Sequence, residues 1–133
     1  MPNKFHQALP PEVDHIAALI LDSAFKVHRA LGPGLLESVY EVCLCHELSK
    51  AGLKFRRQPD LPIIYDGIKL ESGLRIDVVV EDQVIVELKA VETIIPLYEA
   101  QMLTYLKLTG KRLGLLINFN IPLLKDGIKR IIL

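Results

Sequence analysis

The stretch Leu74-Arg-Ile-Asp77-Val-Val-Val80-Glu-Asp-Gln83-Val84-Ile-Val-Glu87-Leu-Lys89-Ala-Val91 holds two apolar runs joined by the polar turn Glu81-Asp82-Gln83. Valine- and isoleucine-rich runs of this length, bounded by a turn, predict a hairpin with strands over 74–80 and 84–91. Nearly every residue in both is apolar, so both faces must be covered, which places the hairpin in the centre of a sheet. Three charges break the pattern: Asp77, Glu87 and Lys89. Charged side chains seldom occupy central strands without a reason. Glu87 and Lys89 are two apart and share one face of the pleat. With a three-residue turn, Asp77 lies directly across from Glu87 on that face. Two opposed carboxylates destabilise a hairpin unless a cation stands between them.

A hard cation such as Mg²⁺ or Mn²⁺ answers that repulsion, because it takes oxygen ligands, commonly one or two carboxylates completed by water and substrate phosphate. Lys89 then offers positive charge to an attacking water or to charge developing on phosphorus. The other reading of the same residues is a buried ion-pair network in which Lys89 neutralises Asp77 or Glu87. On the pattern alone both stay open.

Upstream, Val13, Ile16, Ala17, Ile20, Ala24, Val27 and Leu31 recur at helical spacing, giving an amphipathic helix from about Pro11 to Ala30. Gly32-Pro33-Gly34 ends it, and Gly34 is expected to serve as a close-packed or left-handed turn residue. A second helix is expected over 35–51, with Gly52 after it. On that helix Glu37, Tyr40, Glu41, Leu44 and Leu48 form one stripe, so Glu37 heads a face that is otherwise largely buried. Its carboxylate either complements the helix dipole or donates a third oxygen to the metal. Downstream, a third helix is expected from Pro96 to Leu108, carrying Tyr98, Gln101 and Tyr105 on a shared face. Leu113 to Phe119 and Ile128 to Leu133 read as closing strands. Two helices, a run of strands, a helix and further strands make an α/β (α+β) chain with a mixed sheet.

The 133 residues suit a single domain spanning 1–133, with the first ten residues loose. Sixteen basic residues balance sixteen acidic ones, so the net field gives no general attraction to a polyanion, and any nucleic-acid contact must be local. The basic clusters, Lys54 with Arg56 and Arg57, and Lys125 with Lys129 and Arg130, read as solvated surface. No run of about eighteen apolar residues occurs, and Met1 to His6 lacks the apolar core of a signal peptide, so a cytoplasmic location without membrane attachment is expected. Cys43 and Cys45 point in different directions on a helix and read as buried thiols.

Gly34-Leu-Leu-Glu37-Ser-Val-Tyr40 matches the motif of the GxxExxY family. The resemblance extends through Val84-Ile-Val-Glu87-Leu-Lys89-Ala-Val-Glu92, Glu99-Ala-Gln101-Met-Leu-Thr-Tyr105 and Gly114-Leu-Leu-Ile-Asn118-Phe-Asn120, covering roughly residues 13–133. That family is placed among PD-(D/E)XK nuclease-like proteins, so the resemblance implies a restriction-endonuclease-like core, a central mixed β-sheet flanked by helices. It implies that Asp77 and Glu87 stand at the two acidic positions and Lys89 at the lysine. Glu37 then completes a metal site with Asp77 and Glu87, and Gln101 and Tyr105 resemble a Gln-x-x-x-Tyr helix that supports catalysis by positioning the lysine or the substrate phosphate. One departure is Tyr98, where His is expected.

Two functions are compatible with these readings. One is a Mg²⁺- or Mn²⁺-dependent nuclease cleaving a DNA or RNA phosphodiester, with Lys89, Glu87, Asp77, Gln101 and Tyr105 as catalytic residues. The other is a non-catalytic interaction module, a homodimer or a subunit of a complex with a protein partner, using the last strand as an open edge. The intact acidic pair with its lysine favours the first.

Overall fold

In the computed structural model, which describes residues 8–133, every apolar run singled out above is paired into a sheet or laid against one. The elements in chain order are α1 (Pro11–Leu31), α2 (Glu37–Lys50), β1 (Phe55–Arg57), β2 (Leu61–Tyr65), β3 (Ile68–Leu74), β4 (Val78–Val80), β5 (Val84–Lys89), α3 (Pro96–Thr109), β6 (Leu113–Asn118) and β7 (Ile128–Ile132). Five strands form the main sheet in the order β1-β4-β5-β6-β7, and β2 and β3 form a separate two-stranded ribbon. The β5–β6 pair is parallel and the others antiparallel, so the sheet is mixed. Parallel neighbours need a crossover, which α3 provides.

Alternation along the strands divides the core in two. Val78, Val80, Val84, Val86, Leu88, Leu113, Leu115 and Ile117 face α1 and α2. Val79, Ile85 and Leu116 face α3, where they meet Met102, Tyr105 and Leu106. Helix α3 lies close to β6 because Gly114 has no side chain: a Cβ there would run into the Met102 thioether. With both faces covered, β5 and β6 are buried along nearly their whole length, as their largely apolar runs require.

The structure corrects the expected hairpin. Val78–Val80 pairs with Val84–Val86 in the anticipated register, but the first strand does not run continuously from Leu74, which belongs to β3 in the ribbon. Residues 75–77 bend away from the sheet because side chains replace the ladder there: the Asp77 N–H donates to Glu87 Oε2 at 2.7 Å, and the Leu88 N–H donates to Asp77 Oδ2 at 2.9 Å. The second strand ends at Lys89 and not at Val91, because the Val91 N–H and carbonyl are taken by the Asn118 side chain. Helix α2 starts at Glu37, two residues later than expected, after an extended Leu36.

Leu9 packs against the core and the Ala8 carbonyl accepts a hydrogen bond from Arg112; the rest of the segment expected to be loose, residues 1–7, lies outside the described residues. Cys45 is buried and Cys43 half-buried, and both are free thiols. Among the described residues no helix is long and apolar enough to cross a membrane.

The turn between the first two helices is fixed by Tyr40. Its buried ring stacks on Phe119 with centroids 4.7 Å apart, while its hydroxyl donates to the Gly32 carbonyl at 2.6 Å and accepts from the Leu35 N–H at 3.1 Å. Gly34 holds φ +100° with open space around it, so of its two expected roles it has the left-handed one. Tyr40→Phe keeps the stack but strands both backbone groups. A loss of about 1–3 kcal/mol in urea unfolding, with an unchanged m-value, is the expected result.

Candidate active site

Glu37, Asp77, Glu87, Lys89, Gln101 and Tyr105, far apart in sequence, all line one open cleft of about 540 Å³. Each reaches it for a local reason. Asp77 sits on the bend before β4, Glu87 and Lys89 on the α3 side of β5, Gln101 and Tyr105 one turn apart on α3, and Glu37 in the first turn of α2. The Gly34 turn and the Tyr40 anchor therefore set where Glu37 enters.

Asp77 and Glu87 are interlocked. Each carboxylate accepts one backbone N–H from the other's strand, and the second oxygen of each has no hydrogen-bond partner among the described residues. Neither outer oxygen is sealed from solvent, since no buried polar side-chain atom lacks a partner. Glu87 is 5% exposed. Burial, and then the charge of Asp77, push its carboxyl up to about 8. Burial also raises Asp77, against the Leu88 N–H bond that favours its charged form. Glu37 is exposed at the rim, yet its carboxyl is raised by partial burial in the cleft wall and then by Asp77. Burial and mutual repulsion thus resist full ionisation of these acids.

Lys89 does not relieve that strain by direct contact. Among the described residues it forms no ion pair with Asp77 or Glu87; its Nζ lies 4.3 Å from the centroid of the Tyr98 ring. That ring attracts the ammonium group without neutralising it. Tyr98, at the position where the resemblance led to an expectation of His, is therefore the lysine's support.

The two expected helical residues differ in role. Gln101 is exposed on the cleft wall. Tyr105 is buried, and its hydroxyl donates to the Arg75 carbonyl at 3.1 Å, so its observed partner is the bend that carries Asp77 and not the lysine. Burial raises the Tyr105 phenol, followed by the charges of Glu87 and Asp77, which keeps it a donor.

Sequence reasoning did not find the second tether of this bend. The Gln58 N–H donates to the Asp77 carbonyl at 2.7 Å, and the Gln58 side chain donates to Glu41 Oε2, which also accepts two bonds from Arg57. Gln58 adopts φ +46°, a strained value for a non-glycine residue that no sequence signal announces. Glu41 was visible only as a member of the α2 stripe. Asp77 is thus held by α3 through Tyr105, by β5 through Glu87, and by α2 through Gln58.

No group of three or more His, Cys, Asp or Glu side chains forms a ready-made metal cage among the described residues. The donor set still suits a hard divalent cation: two adjacent carboxylates, each with an outer oxygen open to the cleft, are what Mg²⁺ commonly takes from protein, with water and substrate supplying the rest.

No significant similarity to a curated protein or to a solved structure is found. The sequence profile of the PD-(D/E)XK nuclease superfamily matches residues 14–131, from the first turns of α1 through β7. The mixed sheet flanked by helices agrees with the restriction-endonuclease-like core of such proteins. With the match running over nearly its whole length, the chain belongs to the PD-(D/E)XK nuclease superfamily.

Proposed function

We propose that this protein is a Mg²⁺- or Mn²⁺-dependent nuclease of the GxxExxY type, which hydrolyses phosphodiester bonds of DNA or RNA in the Asp77–Glu87 cleft. The observation that carries the reading is the interlocked acidic pair, with its outer oxygens free beside a lysine that is paired with neither. A buried acid beside a half-buried one costs stability, and a scaffold has no physical reason to keep the pair.

Asp77 and Glu87 would hold the cation, with Glu37 as a further oxygen donor across the cleft. When bound, the metal supplies Lewis-acid stabilisation of the phosphoryl oxygens and acidifies a water. Lys89 places its ammonium group beside the scissile phosphate, where it offsets the charge that builds up as the bond to water forms. Tyr98 keeps the lysine extended into the cleft. Tyr105 and Gln58 hold the bend so that the Asp77 carboxylate does not swing when charge accumulates; preorganisation of this kind is usually a large part of catalysis. Gln101 lies on the wall where it can donate to substrate phosphate.

The test is calorimetric titration of Mg²⁺ and Mn²⁺, paired with cleavage assays on labelled single- and double-stranded DNA and RNA. Wild type should bind metal and cut. An Asp77→Ala/Glu87→Ala variant, folded by circular dichroism, should do neither, while Lys89→Ala should bind metal but cut about 10²–10⁴-fold more slowly. Metal binding that survives in the double variant would sink the assignment.

A further inference from the structure

Arg75 stands two residues before Asp77, exposed on the bend, and its guanidinium has no hydrogen-bond or ion-pair partner among the described residues. Its backbone is pinned, because Tyr105 holds its carbonyl. Nearby arginines are engaged: Arg56 pairs with Asp82, and Arg57 with Glu41. A second depression of about 380 Å³ adjoins the cleft, and the two share Gly73, Leu74, Arg75 and Asp77. Both border the 73–77 segment, so a ligand crossing the Asp77 bend would touch the two in turn, with Arg75 between them. Each lies in the range of roughly 300–1,000 Å³ that holds a small ligand, so each suits one nucleotide unit.

The lining limits what polymer fits. Lys89 and Arg75 are the only cations lining the two among the described residues, while Ile63, Leu74 and Leu108 give the cleft an apolar wall. Duplex binding draws on phosphate neutralisation by many Lys and Arg side chains, about 6–10 in strong cases, which two cations on a chain of zero net charge do not supply. A single strand needs fewer, because its unstacked bases bring apolar faces of their own. Asp60, which precedes the Leu61 partner of Leu74, also lines the second depression, and its carboxylate repels a further phosphate there and keeps the footprint short.

We infer that the cleft and the second depression take a short single-stranded nucleic-acid segment laid across the Asp77 bend, with Arg75 gripping the phosphate next to the scissile one and the apolar wall receiving a base. This deepens the nuclease reading and rests on it for the identity of the scissile phosphate. A planar guanidinium suits the task because it offers paired donors to phosphate oxygens.

The test is fluorescence anisotropy of labelled single strands of DNA and of RNA, about ten nucleotides long, with matched duplexes, on the full chain in Ca²⁺, a hard cation that takes the same oxygen ligands, with probe integrity checked by gel. Wild type should prefer single strands, and whichever sugar binds tighter identifies the source. Arg75→Ala should weaken binding about tenfold at an unchanged melting temperature, with Arg75→Lys recovering part. In cleavage assays the loss should fall on KM more than on kcat. Equal affinity in Arg75→Ala, or duplex bound as tightly as single strand, overturns the inference. If wild type binds strands through Arg75 but cuts none, the binding site stands and the nuclease reading falls. If it cuts, and Arg75→Ala binds and cuts equally well, the reverse holds.

Discussion

At pH 9, in the absence of divalent metal, Glu87→Gln should melt well above wild type, by about 5–10 °C, and in the presence of Mg²⁺ it should lose nearly all cleavage activity. The Glu87 carboxyl stands at about 8 in the folded chain against an ordinary 4.5. Between those values the folded protein keeps a proton that the unfolded chain has released, so stability falls as pH rises. Below 4.5 both states are protonated and the group contributes nothing; above 8 both are ionised and the full cost is present, at most about 4–5 kcal/mol. Glutamine keeps an oxygen for the Asp77 N–H and carries no charge, so it removes that cost. Its advantage should shrink steadily as the pH is lowered from 8 toward 5. Added Mg²⁺ should raise the wild-type melting temperature by mass action and leave the variant unmoved. Calorimetric melts at three pH values, with and without Mg²⁺, decide the matter. A variant less stable than wild type at pH 9 would show that the acidic pair does not strain the apo protein, and one that Mg²⁺ stabilises equally would show that Glu87 does not seat the cation.

The fold was legible where burial leaves one solution. Both faces of β5 and β6 are covered, so their apolar runs announce central strands, and the spacing of α1 announces its buried stripe. The ribbon was not separable from the main sheet. Ile68–Leu74 carries Lys, Glu, Ser and Gly, so its composition does not announce β3 or the sheet it joins, and Leu74 reads as continuous with Val78 until the Asp77 and Glu87 side chains are seen to take the backbone bonds between them.

The acidic pair and Lys89 were visible for the same reason the strands were: a charge in an apolar run stands out. Glu37, Gln101 and Tyr105 needed helical periodicity and the family resemblance together. Arg75 and Gln58 were hidden. Arg75 is the second residue of the run read as a strand, an end position where a charge is ordinary, and Gln58 lies in irregular backbone and acts partly through its own N–H, a group every residue but proline carries.

Arg57→Met should destabilise the protein by about 3–5 kcal/mol, several times more than Arg56→Met a residue away. Arg56 pairs with Asp82, an exposed partner, and such a pair contributes roughly 0–1 kcal/mol. Arg57 pairs with Glu41, whose side chain is 6% exposed, through Nε at 3.1 Å and Nη2 at 2.7 Å. Without the guanidinium a carboxylate stays buried with only the Gln58 amide to satisfy it. The asymmetry runs one way. Glu41→Gln should cost less, since Arg57 is 43% exposed and returns to water. An Arg57→Met/Glu41→Leu double variant should recover much of what the single arginine change loses, because no charge is left stranded. The site adds a second readout. Gln58 ties Glu41 to the Asp77 carbonyl, so Arg57→Met should also weaken Mg²⁺ binding under conditions where it is still folded, while Arg56→Met leaves it unchanged. Equal effects of the two arginine changes on stability would mean that Glu41 is not the buried anchor of the bend. A stability difference without any change in metal affinity would detach the α2 tether from the site and leave Tyr105 and Glu87 to hold Asp77 alone.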